Sequence, residues 1–281
     1  MSSTARALTT IADRRIILKT RGDTHGMITR LMSPGDLGEA LKPFVFLDLF
    51  DTGGRPFTGF GLHPHSGIAT LTYIGEGSVT YEDTNGATGM LRAGGVEWMR
   101  AGKGVWHGGG AGDPGRTWGF QLWVALPPHL ELGESVSIYQ GKEDIPQVGP
   151  AKVLLGTYAG QSNAIESPSP ITYLAVSLRA GERWRYEPEA GHDVLWAALG
   201  KGRVAVPEAV VAGDMILFEP GEGGVDFVAE EDSEFVIGSA VPHAEDLVLG
   251  YYSVHTSAAA LRAGEAHIQE IRRDLQRQGR L

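Results

Sequence analysis

The sequence predicts an all-β protein that consists of two barrel-like units and ends in a helix. Glycine supplies 40 of the 281 residues without a collagen repeat, which favours many tight turns between short strands. Apolar, strand-like runs alternate with turn residues along most of the chain. A weak internal repeat, in which residues 75–79 resemble 200–204 and residues 93–96 resemble 212–215, indicates that one unit occurs twice.

The first unit is predicted from local patterns. Residues 70–74 and 78–82 flank Gly75-Glu76-Gly77, a pattern typical of a β-hairpin. The other elements are an extended piece at 15–19, a buried strand at 44–50, a turn at 83–86 and a strand at 121–126, which Pro127-Pro128 ends.

The segment 140–170, rich in Pro, Gly and Ser, indicates a junction between the units. We place the boundary there, with an N-terminal domain at 1–140 that contains the candidate metal site and a C-terminal domain at 141–281. The second domain should contain a strand at 153–155 and a run of strands from 171 to 241. At the positions of the first unit's histidines the repeat offers Pro188, Ala190, Asp226 and Phe227, so we expect no histidine metal site in the second domain.

The C-terminal segment has the pattern of an amphipathic helix. Ile268, Ile271 and Leu275 follow one another at i, i+3 and i+7, with charged residues between them. Thr256 or Ser257 is the expected N-cap.

Composition excludes several classes of protein. The net charge of −10 has the wrong sign for a nucleic-acid backbone binder, and without cysteine there are no disulfides or thiolate ligands. Residues 1–15 lack the apolar region of a secretory signal, and no stretch approaches the roughly 18–20 apolar residues of a membrane span. We therefore expect a cytoplasmic protein with neither nucleic acid nor membrane as a partner.

Three histidines indicate a metal site. His63 and His65 form an H-x-H pair, and side chains two apart on a strand project from the same face. A third imidazole from His107 would complete a facial set that leaves coordination positions open, as catalytic sites do. The alternative is a barrel whose histidines persist without metal. We expect the remaining six histidines to be packed or hydrogen-bonded: His25, His129, His192, His243, His255 and His267.

Four stretches around these histidines resemble the pirin family of the cupin superfamily. They are residues 57–67, 71–77, 95–107 and 121–124, with a weaker likeness through 249–252. The resemblance implies a bicupin, two stacked β-barrels of which the first holds a mononuclear metal, usually iron. It also implies either flavonol (quercetin) dioxygenase activity or a role in regulating transcription factors. The family's metal ligands are three histidines, which correspond to His63, His65 and His107, and a glutamate.

The glutamate of the family pattern is missing. Gly109 stands at its position, and Ala69 stands where cupins in general place a glutamate ligand. Glu97, Glu76 and Asp113 are the carboxylates that could substitute, with water as the default. Since a glutamate is the natural base for deprotonating a flavonol, the sequence identifies no catalytic base.

Two further features have alternative interpretations. The glycine-rich run 108–112 is either a flap at the barrel mouth or an ordinary long hairpin turn. Some of the aromatic and sulfur-containing side chains near the histidine motifs should line the barrel and suit a flat ligand, although core packing explains most of them: Trp98, Met99, Trp106, Trp118, Phe120 and Trp123.

The sequence supports two functions from different classes. The first is a metal-dependent dioxygenase that holds Fe(II), or another divalent transition metal, and acts with O2 on a small aromatic or enol substrate. The second is a non-catalytic metal- or redox-sensing regulator that binds a protein partner. A metal-free pirin relative is the third possibility.

Overall fold

The computed structural model describes residues 13–56 and 58–281. Residues 1–12 and Phe57, the first residue of the first motif stretch, lie outside the described residues. The helices are α1 (Leu37–Leu41) and α2 (Ala258–Arg277). The strands in chain order are β1 (Ile16–Thr20), β2 (Asp23–His25), β3 (Ile28–Met32), β4 (Phe44–Asp51), β5 (Phe60–His65), β6 (Ile68–Glu76), β7 (Ser78–Asp83), β8 (Thr88–Arg92), β9 (Val96–Arg100), β10 (Val105–Gly109), β11 (Trp118–Ala125), β12 (Val136–Gln140), β13 (Gln147–Val148), β14 (Ala151–Tyr158), β15 (Gln161–Ser162), β16 (Ile171–Leu178), β17 (Arg183–Tyr186), β18 (Val194–Lys201), β19 (Arg203–Val206), β20 (Glu208–Val211), β21 (Met215–Phe218), β22 (Val225–Ala229), β23 (Ser233–Ala240), β24 (Val248–Leu249) and β25 (Val254–His255).

The strands form two barrels, each made of a large and a small antiparallel sheet. In the first barrel the large sheet has the order β12-β9-β6-β11-β4-β3-β2 and the small sheet has the order β5-β10-β7-β8. In the second barrel the orders are β1-β21-β18-β23-β16-β14-β13, with β15 paired to β14, and β17-β22-β19-β20. The predicted fold, all-β with two cupin barrels and a C-terminal helix, is confirmed.

The large sheets of the two barrels pack against each other. Because successive side chains of a strand alternate between faces, β11 presents Phe120 and Leu122 to the core between the barrels, where they join Tyr173 and Trp196. The alternate residues of β11 face the interior of the first barrel. The large sheet is therefore buried on one face by the second barrel and provides a wall of the candidate site on the other.

The hairpin predicted for residues 70–82 is wrong. β6 pairs with β9 and β11, whereas β7 pairs with β8 and β10 in the other sheet. The chain changes sheets at Gly77, whose φ of 78° is in the left-handed region, and a Cβ there would lie 2.4 Å from Thr117 Oγ1. The local turn signal was real, but it could not show which strands pair. The turn predicted at 83–86 does join a hairpin, that of β7 and β8.

The N-terminal strand β1 belongs to the second barrel, because it pairs antiparallel with β21. The division of domains at 140/141 stays a prediction. Strand β1 precedes that boundary in the sequence, whereas its partner β21 follows it. The strand expected at 153–155 is the middle of β14. Inside the second barrel Phe227 stacks on Phe235 with a centroid distance of 4.8 Å, so apolar packing occupies this interior.

The C-terminal helix α2 packs on the first barrel. Ser257 is the N-cap and accepts a hydrogen bond from Ala260 N, while Ile268 and Leu275 are buried as the spacing predicted. Trp106 Nε1 donates to Ile268 O at 2.9 Å, which ties α2 to β10. None of the helices in the described part of the chain combines the length and apolar character needed to cross a membrane.

Candidate metal centre

The three histidines of the motif come together on two neighbouring strands. β5 and β10 run antiparallel, and His107 lies opposite His63 in their register. His65 projects from the same face of β5 as His63. Each of the three offers a ligand nitrogen within 4.8 Å of the others. The ring centroid of His63 lies 4.5 Å from that of His107 and 5.1 Å from that of His65.

Every imidazole in this group has an oxygen acceptor at Nδ1. The acceptors are Gly61 O for His63 at 2.9 Å, Tyr252 O for His65 at 3.1 Å, and Glu97 Oε1 for His107 at 3.2 Å. Because these oxygens accept, each Nδ1 carries a proton, and Nε2 is the ring nitrogen available to bind a metal ion. Nε2 of His65 and of His107 is buried and has no hydrogen-bond partner within residues 13–56 and 58–281. Orphaned buried lone pairs of this kind fit a divalent metal ion, which would satisfy them.

Burial favours the neutral form of two of the imidazoles, those of His63 and His65. Burial, together with the nearby His107, lowers the pKa of His63 to about 4. Burial is also the largest reason that the pKa of His65 falls well below its ordinary value. Protons therefore compete little with a metal ion for these two nitrogens near neutral pH.

Glu97 is the carboxylate nearest to the histidines. It is 7% exposed, and Thr72 Oγ1 donates to its Oε2 at 2.8 Å while His107 occupies Oε1. Burial would raise the pKa of Glu97, but the hydrogen bond and attraction to His107 outweigh burial and lower it. Glu97 thus orients His107 by accepting the hydrogen bond of its Nδ1, which leaves Nε2 directed toward the other histidines. The other carboxylates considered lie elsewhere: Glu76 is 3.8 Å from Arg116, and Asp113 pairs with Arg92.

Neither missing glutamate could be restored by a side chain alone. A Cβ at Gly109 would lie 2.5 Å from the backbone oxygen of Thr80, so the backbone of β7 occupies the space that a side chain here would need. Ala69 faces the core between the barrels, on the face of β6 opposite to Thr72. Position 69 is therefore not a ligand position in this protein, contrary to the expectation from general cupins.

The glycine-rich run is neither a free flap nor a hairpin turn. Gly108 and Gly109 belong to β10, and Gly110 exchanges backbone hydrogen bonds with Thr80 at 3.0 and 3.1 Å. Ala111 continues the pairing as a bridge to Val79. The glycines allow β7 to approach closely, since a Cβ at Gly110 would lie 2.7 Å from Thr80 Oγ1.

A cavity of about 520 Å³ opens onto His63. One wall is aromatic: Phe46 and Trp123 stack at a centroid distance of 4.0 Å, and Trp123 lies 4.8 Å from His65. Tyr252 borders the opening. A smaller inner cavity of about 50 Å³ continues to Glu97 and His107. The volume and the flat walls suit a small planar ligand.

A row of polar side chains crosses the large sheet of this barrel. In the register of five strands Arg30 pairs with Asp48, Asp48 with Gln121, Gln121 with Thr72, and Thr72 with Glu97. Arg30 NH2 donates to Asp48 Oδ2 at 3.1 Å, and its guanidinium lies over an aromatic ring of the cavity wall. Gln121 lines both cavities, and its Nε2 is buried without a hydrogen-bond partner in the described part of the chain. The row provides hydrogen-bonding groups for a polar edge of a ligand.

Among the six side chains that were candidates to line the barrel, Trp123 borders the larger cavity. Trp98, Trp118 and Phe120 lie in the core between the barrels, and Trp106 packs on α2. Sequence reasoning missed Asp48, although a charged residue within the apolar run 44–50 is a visible signal. It also missed Tyr252, which no local pattern connects to His65.

The other histidines lie outside the group. His192 Nδ1 lies 2.7 Å from Ser239 Oγ in the second barrel, and His255 Nδ1 lies 3.1 Å from Glu131 Oε2. His267 contacts Glu270 on the surface of α2.

Comparison with known proteins places this geometry in a family. The sequence model described as Pirin matches residues 26–124. A Pirin-like protein of Caulobacter vibrioides is 30% identical over 210 residues, which cover 70% of this chain and 73% of the relative. A Pseudomonas aeruginosa protein provisionally named quercetin 2,3-dioxygenase is 36% identical over 181 residues, which cover 60% of this chain and 63% of that protein. The crystal structure of quercetin 2,3-dioxygenase from Acinetobacter baumannii superposes with a TM-score of 0.80 at 26% identity, covering 93% of this chain and 98% of that chain. The chain therefore belongs to the pirin family of the cupin superfamily.

Proposed function

We propose that this protein is a metal-dependent dioxygenase of the quercetinase type that acts on a small planar aromatic or enol substrate. His63, His65 and His107 hold one divalent transition metal, and Fe(II) is the ion we propose. The observation that carries the proposal is the convergence of three imidazoles beside an aromatic cavity, two of them with buried Nε2 atoms that have no hydrogen-bond partner among the described residues. The likeness to a quercetin 2,3-dioxygenase over 93% of the chain supports the substrate class.

Bound metal would supply open coordination positions and Lewis acidity at the inner end of the cavity. The protein's own groups orient the ligand. Phe46 and Trp123 present flat faces against which an aromatic ring stacks, and Gln121 Nε2 donates to an oxygen at the ring's edge. All three side chains line the same cavity, so they can contact one ligand together.

Among the residues that the structure describes, Glu97 is the one carboxylate that lines the inner cavity. It already accepts from His107 and Thr72, and its pKa is lowered, so it is a weak proton acceptor. Its role in the proposed reaction is to hold the proton on His107 Nδ1 and to keep Nε2 directed at the metal. This places a negative charge near the metal in a protein whose third histidine is not followed by the family glutamate.

The test combines metal content with O2 uptake. Protein purified without a His-tag or added metal is analysed for bound metal per chain, and is then loaded with Fe(II) anaerobically. We expect near-stoichiometric metal and uptake of O2 on addition of quercetin. His107→Gln should abolish both, whereas the exposed His129→Gln should change neither.

Folded protein that binds no metal would refute the metal centre. Stoichiometric metal without O2 uptake on quercetin or on simpler enols would refute the enzyme. The alternative role, a metal- or redox-sensing regulator with a protein partner, would then be the hypothesis to pursue.

A further inference from the structure

One of the proposed ligands is oriented by a distant part of the chain. His65 Nδ1 donates to the carbonyl oxygen of Tyr252 at 3.1 Å, across 187 residues of sequence. His63 instead uses Gly61 of its own strand, and His107 uses Glu97 of the barrel sheet. The tautomer of His65 therefore depends on where the segment before α2 lies.

Tyr252 holds a backbone conformation that its side chain disfavours. Its φ of 59° is in the left-handed region, where residues other than glycine are uncommon. Such a conformation persists when neighbouring contacts impose it. Ser253, the next residue, provides one of them, since Ser66 Oγ donates to Ser253 Oγ at 2.9 Å and the two residues form a parallel bridge.

A buried network continues from Ser66, the residue after His65. Ser66 Oγ lies 3.0 Å from His255 Nε2, and His255 Nδ1 lies 3.1 Å from Glu131 Oε2. The Glu131 carboxylate also accepts hydrogen bonds from Thr256 N and Thr256 Oγ1, each at 2.7 Å. Ser66, His255 and Glu131 are 0%, 1% and 4% exposed. The network joins a loop of the first barrel, the strand that bears His65 and the segment that bears Tyr252.

A serine hydrogen-bonded to a histidine that is in turn hydrogen-bonded to a glutamate is also the arrangement of a hydrolase triad. Here the arrangement does not serve covalent catalysis. Ser66 is fully buried, so a substrate carbonyl cannot reach its Oγ. The backbone of α2 at Gly264 covers Ser66 and His255, because a Cβ there would lie 2.6 Å from both Ser66 Oγ and His255 Nε2. The network is a packed, hydrogen-bonded connection.

We propose that the Glu131–His255–Ser66 network is a positioning device: it fixes Tyr252 O, sets the tautomer of His65 and so determines metal affinity. The inference rests on the proposed metal centre. Glu131 and Ser66 touch no metal in this arrangement and act through the backbone at residues 252–253. Losing an outer hydrogen-bond partner of a metal-binding histidine typically weakens metal binding about 10–100-fold.

The test uses Glu131→Gln and Ser66→Ala, with Glu270→Gln as the matched control. Glu270 forms the same kind of contact with a histidine, at 3.1 Å to His267 Nδ1, on the exposed surface of α2. Affinity for Co(II) is measured by competition with a chelator, and the visible spectrum of bound Co(II) reports its coordination geometry. Long-range ¹H–¹⁵N spectra of the metal-free protein report the tautomer of His65.

We expect both variants to bind Co(II) about 10-fold more weakly or worse. Metal-free wild type should show His65 protonated at Nδ1, and both variants should show a mixture of tautomers, with Glu270→Gln unchanged. Folded variants that keep the wild-type tautomer overturn the inference, whatever their affinity, because the network would then be only structural. If Glu131→Gln does not fold, Ser66→Ala decides alone. If the wild type binds no Co(II), the metal proposal fails, while the tautomer still decides whether the network orients His65.

Discussion

At the scale of single residues, Glu97 and Gly109 together describe how this site differs from the family pattern. Gly109 offers no side chain, and the backbone of β7 lies close beside it. Glu97 places a buried carboxylate on the far side of His107. In the proposed metal centre the negative charge would therefore act through the imidazole of His107 and not through a direct bond to the metal.

Replacing Glu97 by Gln should weaken metal binding about 10–100-fold with little change of fold, because the isosteric amide removes the charge that holds His107. Affinity is measured by chelator competition. Glu76→Gln, on a half-exposed carboxylate away from the histidines, is the control. Equal affinities of the two variants would contradict the role of Glu97.

Gly109→Ala should lower the free energy of unfolding by about 1–3 kcal/mol, because its Cβ would meet Thr80 O at 2.5 Å and backbone must shift. Denaturant unfolding measures the loss. Gly61→Ala, on the paired strand with nothing within 4 Å of the new Cβ, is the control and should change stability less. A Gly109→Ala protein as stable as that control would show that β10 is not tightly held against β7.

At the scale of elements, the connection between β6 and β7 joins the large sheet of the first barrel to its small sheet. The chain leaves the large sheet at Glu76 and enters the small sheet at Ser78, which lines up β7 beside β10 and thus beside His107. Gly77 makes this possible, since its positive φ and its contact with Thr117 leave no room for a side chain.

Gly77→Ala should therefore destabilise the protein more than Gly86→Ala, which also has a positive φ, of 93°, but open space around it. The strain of the left-handed backbone is common to both, at roughly 1 kcal/mol. The additional loss in Gly77→Ala measures the steric contact with Thr117. Thermal unfolding compares the two, and equal losses would contradict the close approach.

At the scale of the whole molecule, the two barrels contribute differently to the proposed function. The second barrel fills its interior with aromatic and aliphatic side chains and presents Tyr173 and Trp196 to the first. The segment after it returns to the first barrel, where Tyr252 contacts His65. The first barrel thus carries the three histidines and most of the cavity lining, and residues 250–252 of the later segment complete that lining.

The stability of the metal-free protein should fall as pH decreases from about 6.5 to about 4. The pKa of His63 is lowered to about 4 in the folded protein, so the unfolded chain binds more protons in this range and acid favours unfolding. The contribution of His63 is up to about 3 kcal/mol, and His65 acts in the same direction. Denaturant unfolding at several pH values tests this.

The matched comparison is His63→Gln against His129→Gln, since His129 is exposed. The His63 variant should show a shallower pH dependence than the wild type, whereas the His129 variant should keep the wild-type slope. Equal slopes in all three proteins would contradict the lowered pKa.

The class of fold and the three candidate ligands were predictable from the amino-acid sequence alone. Alternating apolar runs and glycine turns report strands, and the H-x-H spacing places two imidazoles on one face of a strand, because both are local properties of the backbone. The helix and its Ser257 cap were also readable, since capping depends on neighbouring residues.

The pairing of the strands and the hydrogen-bond acceptor of each histidine depend on long-range contacts and became visible in the folded structure. The hairpin expected at Gly75-Glu76-Gly77 was wrong, since a turn signal does not specify the partner strand. Glu97 was one of three candidate carboxylates in the sequence, and its contact with His107 depends on the pairing of strands that are distant in the chain. Tyr252 lies 187 residues from His65, and their contact depends on the return of the chain to the first barrel, which no local pattern encodes.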